Sequence, residues 1–287
     1  MKQLKTIIWG VILVLGIGLS SCSRYFQLRN SDATIYSNFK KEHVAVKLDY
    51  YEVNGIKIRY LVTGDSSKPA LLFVHGAPSS LSVFDKYYMN DSLQQNCEMW
   101  ALDRPGYGYT QFGNALPSIE EQAKCVLPLL EKIGKTRKKI LLGTSYGGPI
   151  AAKIAALRPD LVDGLILAAP AVQPGEEKIY SITYPTSTWL KWATPRMFRT
   201  ANAEKLEHKG ELNKMLPDWN KIKAPVIIIQ GLADELVFPS NILFLKRQLT
   251  QTSVKIYAIR DQEHFLSWPQ KKLITSSIFE MIEMLGK

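Results

Sequence analysis

Ser145, Asp234 and His264 are the residues whose types and order point to chemistry. Gly143-Thr144-Ser145-Tyr146-Gly147 is a G-x-S-x-G, preceded by the apolar run Lys139–Leu142 and followed by Gly148-Pro149-Ile150-Ala151-Ala152. In a strand–turn–helix context such a serine sits in a strained turn, with its Oγ exposed at a helix N-terminus. The flanking glycines remove Cβ atoms that would clash in that turn. The chemistry this suits is nucleophilic attack on a carbonyl, for which serine needs a base within hydrogen-bond reach.

Histidine is the side chain for proton transfer near neutral pH, and the chain has four: His43, His75, His208 and His264. His43 stands at the very start of the first strand-like run, and His208 falls in a segment outside the core pattern. His264 follows the apolar run Val254–Ala258, so it lies on a loop at a strand's carboxyl end. The acid that orients it should follow another strand. Val226–Gln230 leads into Gly231-Leu232-Ala233-Asp234-Glu235 and makes Asp234 the candidate, with Glu235 and Asp163 as rivals. The order serine, acid, histidine is then satisfied.

An oxyanion needs two fixed N–H donors. Tyr146, directly after the nucleophile, supplies one by position. The second is expected from His75-Gly76-Ala77-Pro78, the loop after the third strand, with Ala77 as the donor. Gly76 is expected to take an unusual backbone angle there, and Pro78 removes a competing donor. His75 is expected to support this loop rather than to act as the base.

The elements that must position these residues are legible as runs. His43–Tyr51 and Ile56–Val62 flank Val53-Asn54-Gly55, a hairpin signal. Ala70–Val74, Met99–Leu102, Ile140–Leu142, Leu165–Ala168, Val226–Ile229 and Val254–Ala258 read as strands buried on both faces. Helical periodicity separates them over Ile119–Ile133, Pro149–Leu157, Asn241–Leu249 and Lys272–Leu285. Such alternation means a mostly parallel central sheet flanked by helices, an α/β fold with ligand sites at the carboxyl ends of the strands. Residues 173–223 interrupt it without a core strand and carry Tyr180, Tyr184, Trp189, Trp192, Phe198 and Trp219. A structureless loop of that length is improbable. A short helical lid inserted after the sixth strand is expected, its aromatics lining an apolar pocket.

With these residues in view, the chain resembles the lid-bearing serine hydrolase branch of the α/β-hydrolase superfamily. Asp103-Arg104-Pro105-Gly106-Tyr107-Gly108 matches that branch's D-x-P-G-x-G turn, and His75-Gly76-Ala77-Pro78 its H-G-x-P oxyanion loop. The resemblance covers Val46 to Leu285. It implies hydrolysis of a small or lipid-like carboxylic ester through Ser145, His264 and Asp234, with no cofactor and no metal. Haloalkane dehalogenases and epoxide hydrolases of this branch carry aspartate where this chain has Ser145. Proline iminopeptidases usually carry G-G-S-W-G and D-Q-R-G turns, which differ from those here. A peptidase or C–C bond hydrolase with the same triad stays open, as does a catalytically silent ligand-binding lipoprotein.

The N-terminus makes a separate statement. Lys2 and Lys5 precede an apolar run from Thr6 to Leu19, then Leu19-Ser20-Ser21-Cys22. The run is shorter than the roughly 20 residues that span a bilayer. Residues 1–21 read as a signal peptide ending in a bacterial lipobox, Cys22 as the lipidated residue, 22–42 as an irregular tether, and 43–287 as the hydrolase domain. The expected address is the bacterial cell envelope, with the outer membrane preferred in a Gram-negative cell because Ser23 is not aspartate. The membrane, through Cys22, and a small-molecule ester are the expected partners. Oligomeric state is not legible.

The formal net charge is +10, and +8 after Cys22, because Lys2 and Lys5 are the only charges before it. The basic residues are scattered and no recognisable module accompanies them, so no nucleic-acid binding is expected. A solvated surface is the plain reading, and a basic face against anionic lipid the functional one. Cys97 and Cys125 lie in no C-x-x-C, and whether they pair is open.

Overall fold

The computed structural model describes residues 28–286. The signal segment and Cys22 lie outside the described residues.

The chain enters through helix α1 (Asp32–Lys41). Ser31 caps it by accepting from the Thr34 N–H, and Asp32 in the first turn with Lys40 and Lys41 in the last complement the helix dipole. The irregular tether expected over 22–42 is therefore corrected for 32–41. Ile35 and Phe39, four residues apart on one helical face, are both buried in the core. Burying two such side chains stabilises the attachment by about 1.5–3 kcal/mol each. A polar sequence with only two apolar anchors did not announce this.

Strands β1 (Lys47–Val53) and β2 (Ile56–Gly64) form the expected hairpin, with Asn54 and Gly55 both at positive φ. Next come β3 (Ala70–Val74), the short helices α2 (Asp85–Tyr88) and α3 (Asp91–Asn96), and β4 (Glu98–Leu102). Helix α4 (Ile119–Ile133) starts at Ser118, whose hydroxyl accepts from the Glu121 N–H. Strand β5 (Lys139–Thr144), helix α5 (Gly147–Leu157) and strand β6 (Gly164–Ala168) follow.

The insertion then carries α6 (Thr183–Ser187) and α7 (Arg196–Met215), with short 3-10 turns at Lys191–Ala193 and Leu216–Lys221. Strand β7 (Val226–Gly231), helix α8 (Ser240–Gln248), strand β8 (Val254–Ile259) and helix α9 (Lys271–Gly286) complete the chain.

The eight strands form one sheet in the order β1-β2-β4-β3-β5-β6-β7-β8. Pairing is antiparallel from β1 through β2 to β4 and parallel across the rest. The strand period of two distributes each buried strand over two cores. In β3, Ala70, Leu72 and Val74 face the core under α4, α5 and α8. Leu71 and Phe73 face the core under α1, α2, α3 and α9. Both faces are thus covered, as a parallel sheet requires. Cys97 and Cys125 are free, buried in the cores on opposite faces of this sheet. The open question of their pairing closes for that reason.

Candidate active site

The parallel strands end on one edge, and the candidate residues gather there. Ser145 follows β5 at φ 51°, a left-handed conformation uncommon for a side chain other than glycine. The strain is held by close packing. A β-carbon on Gly143 would lie 2.5 Å from the Gly147 carbonyl oxygen, and one on Gly147 would collide with the Val74 carbonyl. Three main-chain bonds fix the turn. The Ser145 N–H donates to the Ala168 carbonyl, and the Ser145 carbonyl accepts from Gly148 and Ala171. Helix α5 begins two residues later, so its positive end lies beneath the serine.

The structure brings Ser145, His264 and Asp234 together. Nε2 of His264 lies 2.9 Å from Ser145 Oγ, and Nδ1 lies 2.8 Å from Asp234 Oδ2. A carboxylate only accepts, so Nδ1 carries the proton and the Nε2 lone pair faces the hydroxyl. Asp234 is itself held on both oxygens. Oδ1 accepts from the Leu236 and Val237 N–H groups, and Oδ2 also accepts from Gln230 Nε2 at 3.0 Å. The rivals lie elsewhere. Glu235 points to solvent beside Lys178, and Asp163 binds Lys138 and the Lys139 N–H at the start of β5.

His75 is fully buried beneath the other loop. Its Nδ1 donates to the Gly76 carbonyl at 2.7 Å and its Nε2 accepts the Arg104 N–H at 3.0 Å. Gly76 packs on the nucleophile: a β-carbon there would stand 3.0 Å from Ser145 Cβ and 3.6 Å from its Oγ. The unusual backbone angle expected at Gly76 is not found, since its φ lies outside the left-handed region. The position needs glycine for room. Ala77 and Tyr146 flank this contact, and neither N–H is engaged by an acceptor among the described residues.

A buried network ties the loop to the insertion, and sequence reasoning missed it. Arg104 donates to the His75 and Gly76 carbonyls, to Gln122 Oε1, and to both oxygens of Glu204 on α7. Glu204 also accepts from Tyr107 at 2.6 Å and Gln122 at 2.9 Å. Burial opposes the Arg104 charge, and Glu204 outweighs it, so the guanidinium holds its proton more tightly than usual. Arg104 stood in a motif, but nothing marked an acid 100 residues away as its partner. Asp103 beside it binds the Leu81 and Tyr109 N–H groups, and a β-carbon on Gly108 would collide with its carboxylate. That explains the glycine at the last position of the D-x-P-G-x-G turn.

His208, on α7, is buried as well. Its ring packs on Tyr146 with centroids 4.6 Å apart, and its Nε2 donates to the Ala171 carbonyl. Burial makes both His75 and His208 hold a proton less readily than an exposed histidine, and Arg104 adds to this at His75. The unfolded chain binds protons at these rings below about pH 6.5, and the folded chain resists. Asp85, pushed up to about 6 by burial, opposes one of them, because folding raises its proton uptake. Stability is therefore expected to fall as pH drops from 7 to 5, because the unfolded chain takes up protons at both rings over this range while Asp85 offsets only one of them. Thermal unfolding at pH 7, 6 and 5 measures it, and an unchanged Tm would contradict the assignment.

Comparisons with known proteins agree with this geometry at the level of fold. Residues 69–193 match the family described as alpha/beta hydrolase fold. A monoacylglycerol lipase of Xenopus laevis (abhd6-B) is 25% identical over 221 residues, which are 74% of this chain and 62% of that protein. The chain thus spans under two thirds of that relative's length. A solved bacterial membrane phospholipase A superimposes with a TM-score of 0.66 at 20% identity, covering 99% of both chains. A solved protein described as a putative lipase from Acinetobacter baumannii gives 0.65 at 18% identity, covering 90% of this chain and 98% of its own.

Proposed function

We propose that this chain, which has the α/β-hydrolase fold, is a serine hydrolase of carboxylic esters. The observation that carries the proposal is the continuous chain of hydrogen bonds from Ser145 Oγ through His264 to Asp234. His264 Nε2 takes the hydroxyl proton as Ser145 Oγ bonds to the ester carbonyl carbon, and Asp234 stabilises the imidazolium. The Ala77 and Tyr146 N–H groups receive the oxyanion. His264 then protonates the departing alkoxide, leaving an acyl-serine. Water, deprotonated by the same imidazole, releases the acid and restores the serine.

Folding alone gives no reason for this arrangement. A positive φ at a serine costs on the order of 1–3 kcal/mol and persists where function holds it. That argues against a silent binding protein. Lipid-like esters are the proposed substrates, a choice supported by relatives named as a monoacylglycerol lipase and a phospholipase A. Export and lipidation at Cys22 belong to the same proposal and rest on the lipobox sequence.

Nitrophenyl esters from acetate to palmitate, set against aminoacyl nitroanilides, test the substrate class. Ester turnover exceeding amide turnover at every chain length is expected, and the reverse would favour the peptidase reading. Gly76→Ala is expected to lower kcat roughly 10²–10³-fold, the size of losing one oxyanion donor. Activity close to wild type in that variant would contradict the tight packing of Gly76 on Ser145 as a requirement of the site.

A further inference from the structure

Not all aromatics of the insertion face inward, contrary to the expectation that they line a pocket. Trp219 is buried against Phe244, but Trp189 and Trp192 are 71% and 77% exposed, and Tyr180 and Tyr184 stand out beside them. Large indole surface left in water is costly unless something covers it. The same stretch, residues 178–199, carries Lys178, Lys191, Arg196 and Arg199 and no acidic residue.

A second exposed aromatic segment follows β8. The turn holding His264 exposes Phe265 (75%) and Trp268 (70%) and leads into Lys271 and Lys272. Both segments leave the carboxyl edge of the parallel sheet. They are tied through the acid loop: Lys178 N–H donates to the Leu236 carbonyl and Phe238 N–H to the Glu176 carbonyl, while Asp234 in that loop holds His264.

We propose that the outward face of residues 178–199, with the 264–268 turn, is a docking surface for an anionic phospholipid bilayer. Indoles interleaved with lysine and arginine match the headgroup layer, where an amphipathic ring sits at the boundary and cations meet lipid phosphates. A second copy of the chain fits less well. A two-fold interface would set this cationic face against itself.

The position of the N-terminus agrees. Arg29 donates to the Gly108 carbonyl and stacks over Tyr109 and Phe112, and a β-carbon on Gly113 in that turn would touch Arg196 at the start of α7. The chain therefore enters beside the insertion. Leu28 is six positions along the chain from Cys22, a reach of at most about 22 Å. In this last point the inference rests on the anchor proposed at Cys22. The exposed surface itself does not depend on Ser145.

Amide hydrogen exchange of the full chain reconstituted in vesicles tests the surface. Vesicles of phosphatidylcholine alone are compared with vesicles that also contain phosphatidylglycerol. Exchange over 178–199 is expected to be roughly fivefold slower or more in the anionic vesicles. The protection should weaken in high salt and disappear in Trp189→Ser/Trp192→Ser and in Lys191→Glu/Arg196→Glu. Equal exchange in both vesicle types, with the chain still attached, would overturn the proposal. Protection that follows protein density rather than lipid charge would overturn it in favour of self-association. Hydrolysis of soluble nitrophenyl acetate, measured in parallel, reports the hydrolase proposal separately and is expected to be unchanged in both variants. Resistance of the chain to alkaline extraction reports the anchor.

Discussion

Ser145→Ala is expected to lower kcat for nitrophenyl butyrate by roughly 10⁵–10⁶-fold while leaving Tm within a few degrees. In the proposed mechanism the Ser145 hydroxyl is the atom that bonds to the substrate, and no other side chain takes that part. Ser145 is only partly buried, so its loss opens no large cavity. His264→Ala should cost about as much, because serine and base act as a unit. Asp234→Asn should cost less, on the order of 10⁴-fold, since an amide at that position presents the wrong partner to Nδ1. Double variants should add little to the single losses. Steady-state kinetics on folded protein checks the series, and a Ser145→Ala enzyme with more than a few per cent of wild-type kcat would remove Ser145 from its role.

The second large effect is on stability. Glu204→Leu is expected to destabilise the protein by about 3–5 kcal/mol, because it strands the buried Arg104 guanidinium without its counter-charge. For a domain of this size that is a Tm loss on the order of 6–20 °C. Activity should fall as well, since Arg104 also holds the His75 and Gly76 carbonyls of the loop proposed to receive the oxyanion. Adding Arg104→Met should cost far less than its single effect, because an apolar pair no longer leaves a charge unpaired. The two singles and the double, compared by thermal unfolding, give the coupling. A Glu204→Leu protein melting within 2 °C of wild type would contradict the account.

The two networks differ in how far the sequence announced them. The elbow, the acid loop and the base loop are local patterns: a glycine-flanked serine, and an acid and a histidine each just past a strand. Local steric rules force such patterns, so Ser145, Asp234 and His264 were legible from the chain. The hairpin at Asn54-Gly55 was legible for the same reason.

What stayed hidden depends on tertiary approach. Glu204 meets Arg104 across 100 residues, and Gln230 reaches Asp234 from within a strand that reads as uniformly apolar otherwise. No periodicity encodes either contact. Helix α1 was missed because two buried side chains in a polar segment make a faint pattern, although Ser31 and Asp32 were a usable start signal. At Gly76 the residue was singled out but the reason was wrong. The constraint is proximity to Ser145, which only the folded chain can reveal. The direction of the insertion's aromatics was likewise beyond composition, which records how many there are and not which way they face.

The most direct test of the central claim is covalent labelling of the folded protein with a fluorophosphonate, followed by peptide mapping. The expected result is one adduct per chain, on the peptide containing Ser145, absent in Ser145→Ala and strongly slowed in His264→Ala. A folded protein that takes no label, or takes it on another residue, would contradict the assignment of Ser145 as an activated nucleophile.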